Sequence, residues 1–268
     1  MTEKSLSAPV VVIDSGSGGL TVLDDLISIL PAENFLYFGD HAFVPYGQRT
    51  NTWIADRVLR IIRRLIAFSP KLVVIACNTA TVAGIDSYRR KYPKLPIIGA
   101  VPVIKTAIER TRTGCVAVIC TKFTAKSPYL YKLMANFAGQ VRVRITGSDR
   151  LVPLIEAGRL SDREIIPELK KLLNHLEKDQ VDVLALGCTH FPFLKKQIAE
   201  ITGPQVTLID SGGAIARHAR RILLVNSMLR AGRIGTRKYL TSADSRKVSR
   251  IASLLLKRPV RFASLKVN

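Results

Sequence analysis

The sequence is poor in acids, in cysteines and in long apolar runs, and each shortage excludes a class of protein. Its 268 residues hold 20 Asp and Glu against 41 Lys and Arg, a formal net charge of +21. No stretch approaches the roughly 18 consecutive apolar residues of a membrane-spanning helix. The first apolar run, Ala8 to Ile13, is stopped by Asp14, short of the roughly 7–15 apolar residues of a secretory signal core. Four cysteines, Cys77, Cys115, Cys120 and Cys188, are too few for a disulfide scaffold in a chain of this length. A soluble, reduced, cytoplasmic protein with no membrane partner is expected. There is no C-x-x-C and no H-x-x-x-H; Cys188-x-His190 is a single pair, whereas structural zinc takes four ligands. No metal is expected.

Hydrophobic residues make up 47% and charged residues 23%, which excludes a disordered chain. The basic excess is unevenly placed. From Arg217 to Asn268 there are 14 Lys and Arg against one acid, Asp244, a net +13 that leaves +8 for the first 216 residues. Such a C-terminal region could displace counterions from nucleic acid, or it could be a solvated basic face that keeps the protein soluble. The second is the simpler expectation, because the chain shows no zinc, RNP-type or zipper motif; nucleic-acid contact stays open.

Short β-branched runs alternate with segments of helical period. Strands are predicted at Val10–Ile13, Phe35–Phe38, Leu72–Ala76, Ile97–Gly99, Val116–Ile119, Val141–Ile145, Val183–Leu186 and Val206–Ile209. Their continuous hydrophobicity is that of strands buried on both faces, as in parallel sheets. Ile54, Val58, Ile61, Ile62 and Leu65 form one helical stripe, and Leu169, Leu172, Leu173 and Leu176 another. The pattern is α/β and doubly wound. LVVIACNTA (72–80) echoes VLALGCTHF (183–191), and VVIDSGSGG (11–19) echoes TLIDSGGAI (207–215), so two similar halves are expected. The chain would cross near Pro96–Pro102 and return near Gly203–Pro204, giving one domain of residues 1–98 plus 210–268 and a second of 99–209.

Cys77 and Cys188 each follow a predicted strand and precede a predicted helix. Ligands bind at that carboxyl end of the strands in open α/β sheets, and a helix N-terminus favours a thiolate. Ionising an unperturbed thiol at neutral pH costs about 2 kcal/mol, part of which the helix supplies. Asp14 or His190 could poise one thiol as base and the other as acid. Cys115 and Cys120, inside the apolar GCVAVIC, are expected to be buried hydrophobes; His175 and His218 are expected on helix surfaces, and His41 stands apart. DSGSGG (14–19) is an anion cradle at a helix start, but it lacks the Gly-Lys-Ser/Thr of a P-loop. A small carboxylate suits it better than a polyphosphate.

DSGSGGLTVL (14–23), YFGDHAFVPYG (37–47), ACNTAT (76–81), VPLIEAG (152–158), GCTHFP (187–192) and IDSGGAIA (209–216), taken in order, resemble the glutamate racemases of bacterial cell-wall synthesis, within the cofactor-independent aspartate/glutamate racemase group. The resemblance runs from Val10 to about Leu229, and TSADSRKVSRIASLLL (241–256) is similar to a degraded form of the group's last strand and helix. It implies two α/β domains facing each other across the active site, one catalytic cysteine from each, interconversion of L- and D-glutamate for peptidoglycan, no cofactor and a homodimer. By motif the catalytic residues are Cys77 and Cys188, assisted by Asp14 and His190. Substrate contacts fall on Asp14, Ser15, Tyr46, Gly47, Asn78, Thr79, Thr189 and His190, with Glu156 behind the site. The resemblance also implies that Cys77 takes the proton from D-glutamate and Cys188 from L-glutamate. His190 favours glutamate over aspartate, since aspartate racemases tend to carry Glu there; an aspartate or other acidic amino-acid racemase is the alternative. Ser17 and Phe191 stand where the group more often has Val and Tyr. The segment before VPLIEAG lacks its common Cys-Pro, and TSADS lacks its Gly.

Overall fold

The computed structural model describes residues 6–100 and 103–268. The chain forms two compact units, Met1–Ala100 with Gly212–Asn268, and Val101–Ser211. Part of the expected crossing near Pro96–Pro102 lies outside the described residues.

In the first unit one sheet contains β1 (Val10–Asp14), β2 (Phe35–Gly39), β3 (Leu72–Ile75), β4 (Ile97–Gly99), β9 (Arg237–Thr241) and β10 (Phe262–Ser264). The order is β10-β9-β2-β1-β3-β4, and every pairing is parallel. β1, β2 and β3 are buried end to end, which is why they are unbroken apolar runs. The helices are α1 (Gly19–Ile29), α2 (Asn51–Leu65), α3 (Asn78–Lys91), α10 (Gly212–Val225) and α11 (Ser245–Leu256). Leu20, Leu23 and Leu26 of α1, Ala216 and Leu223 of α10, and Val248 and Ala252 of α11 share a core with Val10, Val12, Tyr37 and Val74 of the sheet. α2 starts where Thr50 accepts from the Trp53 N–H and buries its predicted stripe of Ile54, Val58, Ile61, Ile62 and Leu65.

The second unit has a sheet of β5 (Cys115–Cys120), β6 (Arg142–Gly147), β7 (Val183–Leu186) and β8 (Thr207–Asp210), in the parallel order β6-β5-β7-β8. Around it lie α4 (Ile104–Arg110), α5 (Lys122–Ala125), α6 (Pro128–Phe137), α7 (Leu151–Glu156), α8 (Asp162–Leu173) and α9 (Lys195–Thr202). β5 and β7 are fully buried. β6 is an edge and leaves Arg142 and Arg144 exposed, which suits an edge strand, since outward charge discourages further pairing.

β1 lies between β2 and β3, and β5 between β6 and β7. In each sheet the chain therefore departs to opposite sides of one strand, and ligand crevices form beyond the carboxyl ends at such switch points. Among the described residues no helix is long and apolar enough to cross a membrane.

The basic C-terminal region is part of the first unit: β9 pairs with β2, placing Thr241 opposite Gly39, and Asp244 caps α11 by accepting from the Lys247 N–H at 2.7 Å. Arg246, Lys247 and Arg250 are exposed, while Leu240, Val248, Ala252 and Phe262 are buried. A buried Glu33–Lys71 ion pair at 2.6 Å ties in the approach to β9, since Lys71 donates to the Met228 carbonyl and Glu33 accepts from the Arg230 N–H. One expectation is corrected: His175 is not on a helix surface. His175 follows the end of α8 and is half-buried. His218 on α10 is half-buried, its pKa pushed down by burial and then by Arg221 and Arg89.

Candidate active site

In the first unit three loops leave the carboxyl ends of β1, β2 and β3. Strand register aligns those ends, with Asp14 opposite Gly39 and Ile13 opposite Ile75. The chain turns at once after β1, where Asp14 Oδ1 accepts from the Gly16 N–H at 2.9 Å. Tyr37 donates its hydroxyl to the Gly16 carbonyl at 2.6 Å. Beyond β3, Cys77 is the N-cap of α3: its sulfur accepts from the Ala80 N–H at 3.4 Å and lies 3.5 Å from Ser15 Oγ, to which the thiol donates. The positive end of a helix is thus aimed at the sulfur of a residue that is 5% exposed.

Asp14, Ser15, Asn78 and Thr79 are all buried around this thiol. Asn78 is unusual, because neither atom of its side-chain amide has a hydrogen-bond partner among the described residues. A buried amide left unpaired costs on the order of 1–3 kcal/mol, and a polar ligand beside Cys77 would satisfy it. Asn78→Ala is therefore expected to leave thermal stability unchanged or slightly raised, while lowering kcat/KM about tenfold to a hundredfold. A thermal melt set beside steady-state kinetics checks both halves of that expectation.

Gly47 lies in the single turn Tyr46–Gln48 beyond β2, but the Tyr46 hydroxyl is turned away into a buried network. It donates to Asp40 Oδ2 at 2.6 Å, and Arg57 grips the same carboxylate through Nε at 2.9 Å and Nη2 at 2.8 Å. Arg57 also donates to the Val267 carbonyl at 2.8 Å. Burial first, and the Asp40 charge second, push the Tyr46 phenol up, so it stays a neutral donor. Of the Tyr46–Gly47 pair, the half-turn backbone is what remains to meet a ligand. Sequence reasoning missed Asp40 and Arg57. One signal was available: Arg57 interrupts the buried stripe of α2, and a charge on a buried helix face requires a partner.

In the second unit β7 leads through Gly187 to Cys188, Thr189 and His190, all three of which are buried. His190 is enclosed, with Nδ1 3.9 Å from the Cys188 sulfur and Nε2 2.6 Å from Glu156 Oε1 at the end of α7. Burial pushes the imidazole pKa down, but the bonds to Cys188 and Glu156 and the Glu156 charge prevail and hold it well above the ordinary value. A proton on Nε2 faces Glu156, and a proton on Nδ1 faces the sulfur. Cys120 lies inside β5, where burial first and Cys188 second push its thiol up; burial raises Cys115 as well. Neither thiol has the helix-capping place of Cys77 or the imidazole neighbour of Cys188. Among the described residues no group of three His, Cys, Asp or Glu side chains could hold a metal ion.

Each unit thus offers a thiol at the carboxyl end of a central parallel strand, one capping a helix and one beside an imidazole held by a carboxylate. Thiols so placed can act as acids and bases. The chain belongs to the Asp/Glu/hydantoin racemase family, whose model matches residues 12–219. It is 38% identical over 261 residues to a glutamate racemase of Pseudomonas aeruginosa, an alignment covering 97% of this chain and 98% of that enzyme. Among solved structures it is similar to a glutamate racemase isoform from Bacillus anthracis, with a TM-score of 0.89 and 30% identity over 97% of this chain and 98% of that one. The Francisella tularensis glutamate racemase, solved in complex with D-glutamate, has a TM-score of 0.86 and 27% identity over 98% of both chains.

Proposed function

We propose that this protein interconverts L- and D-glutamate by moving the Cα proton between two thiols, Cys77 and Cys188, and so supplies D-glutamate for peptidoglycan. Racemisation needs a base on one face of Cα and an acid on the other, with a planar carbanion between the two transfers. The thiolate of one cysteine takes the Cα proton and becomes a thiol; the thiol of the other gives up its proton to the opposite face and becomes the thiolate. The net reaction is balanced without oxidant or co-reactant. Carbanion charge spreads into the substrate carboxylate, where preorganised donors stabilise it. Backbone N–H groups around Ser15, Gly47, Thr79 and Thr189 are the donors we assign, with Asp14 and His190 assisting the two thiols.

The observation that carries this reading is the placing of Cys77 as the cap of α3, with Ala80 N–H and Ser15 on its sulfur and an unpartnered Asn78 amide beside it. The His190–Glu156 pair supports the same role for Cys188. The test is incubation with L-glutamate in D₂O without added cofactor, followed by chiral analysis. D-glutamate carrying deuterium at Cα is expected; its absence overturns the reading. The same assay with L-aspartate separates a sister activity.

A further inference from the structure

The loop that carries Asp14 and Ser15 is held from behind by a side chain that the two-thiol reaction does not use. His41, just beyond β2, places Nε2 3.1 Å from Ser17 Oγ and Nδ1 2.9 Å from Thr241 Oγ1 and 3.0 Å from the Gly39 carbonyl. A carbonyl oxygen only accepts, so Nδ1 carries the proton; in the neutral ring Nε2 then accepts from the Ser17 hydroxyl. The ring has no slack. Phe262 of β10 stands edge-on to it with centroids 5.5 Å apart, and a Cβ on Gly39 would lie 2.2 Å from His41 Cε1. Phe262 also packs edge-on to Tyr37 at 6.0 Å, the residue that holds the Gly16 carbonyl. The loop is therefore pinned at two consecutive residues, Gly16 and Ser17, and both pins rest on the C-terminal strands β9 and β10.

We propose that His41, anchored on Thr241, is a positioning residue for the Cys77 proton transfer. It fixes Ser17, and through the loop it fixes Ser15, whose hydroxyl meets the Cys77 sulfur. Removing the tether lets Ser15 and Asp14 wander relative to the thiol, and a displacement of about 1 Å at a reacting group costs on the order of a hundredfold in rate. The C-terminal segment then serves the reaction by holding this loop.

The test uses the full chain and rests on the reading that Cys77 acts on D-glutamate. Wild-type turnover and its loss in Cys77→Ser first establish that Cys77 is in the proton path. Which enantiomer it deprotonates is read from the direction of the isotope effects, and a rise for L-glutamate with a fall for D-glutamate would reverse that assignment while keeping the tether. With both in hand, Ser17→Ala and His41→Asn are each expected to lower kcat about tenfold or more with KM changed less than threefold. The double variant should lose no more than the worse single one, because the two changes break one tether. Slowing only the Cys77 transfer makes it more rate-limiting. The primary isotope effect on kcat/KM therefore rises for D-[2-²H]glutamate and falls for L-[2-²H]glutamate. Asp182→Asn in the second unit, which weakens the bonds this carboxylate accepts from Thr111 and from the Arg112 and Thr113 N–H groups, is the control: it should lower the melting temperature without separating the two isotope effects. Additive losses, unchanged kcat, or isotope effects that move together in the tether variants overturn the proposal.

Discussion

Cys77→Ser and Cys188→Ser should each lower racemisation of glutamate by about 10³-fold or more while leaving the protein folded. The size follows from acid–base strength. A positioned general acid or base is worth on the order of 10²–10⁴ in rate, and a serine hydroxyl yields almost no alkoxide at neutral pH. The two sites differ in what else the substitution does. Cys77 caps α3 through its sulfur, and serine is among the best residues at an N-cap. Cys77→Ser should therefore hold or gain helix stability as it loses activity. Cys77→Ala loses the cap as well, at about 0.5–2 kcal/mol. Cys188 caps no helix, so its Ser and Ala variants should melt alike. Chiral turnover and urea unfolding on the four proteins check this pattern. Activity within tenfold of wild type in either Ser variant would remove that cysteine from the proton path.

Much of the fold was legible because parallel strands buried on both faces have no polar positions to blur them. β1, β3, β5 and β7 stand in the sequence as VVVID, LVVI, CVAVIC and VLAL. The hydrophobic pattern marks neither β9 nor β10 as a strand; only the resemblance of 241–256 to a last strand and helix touches the end of β9. β9, RKYLT, exposes its second residue and buries only its last two, and β10 is three residues long. What fixes β9 is its register with β2, some 200 residues away, and no local pattern carries that. The site divides in the same way. Polar residues directly after buried strands, Asp14-Ser15, Cys77-Asn78-Thr79 and Cys188-Thr189-His190, declare themselves by contrast with the strands before them. His41 and Asp40 do not, because their partners are Thr241 and an arginine inside a helix. The C-terminal charge drew attention to the wrong property of that segment: Arg246, Lys247 and Arg250 are exposed, whereas its buried Thr241, Leu240 and Phe262 pack into the unit that carries Cys77.

Glu156→Gln should reduce activity about tenfold to a hundredfold near neutral pH, and its cost in stability should fade as pH rises. The Glu156 carboxylate accepts from His190 Nε2 at 2.6 Å in a nearly dry setting, a charge-assisted bond worth roughly 1.5–3 kcal/mol. Glutamine keeps an oxygen at that place without the charge, so the imidazole loses the partner that holds its proton and its pKa falls. The sign of the pH effect follows from the raised value in the folded protein. The folded chain binds a proton on His190 that the unfolded chain releases above the ordinary imidazole range. That stabilisation is complete below the ordinary range and shrinks as pH climbs through the window up to the raised folded value. Above that window it is gone. The gap in unfolding free energy between wild type and Glu156→Gln should accordingly be widest near pH 6 and close toward alkaline pH. Urea unfolding at intervals between pH 6 and 10 reads it directly. The same loss of charge withdraws the proton facing the Cys188 sulfur, so the kcat deficit should also depend on pH. A stability gap of constant size at every pH would mean that glutamine merely packs poorly at position 156, and the imidazolium would then have no part in holding the thiol.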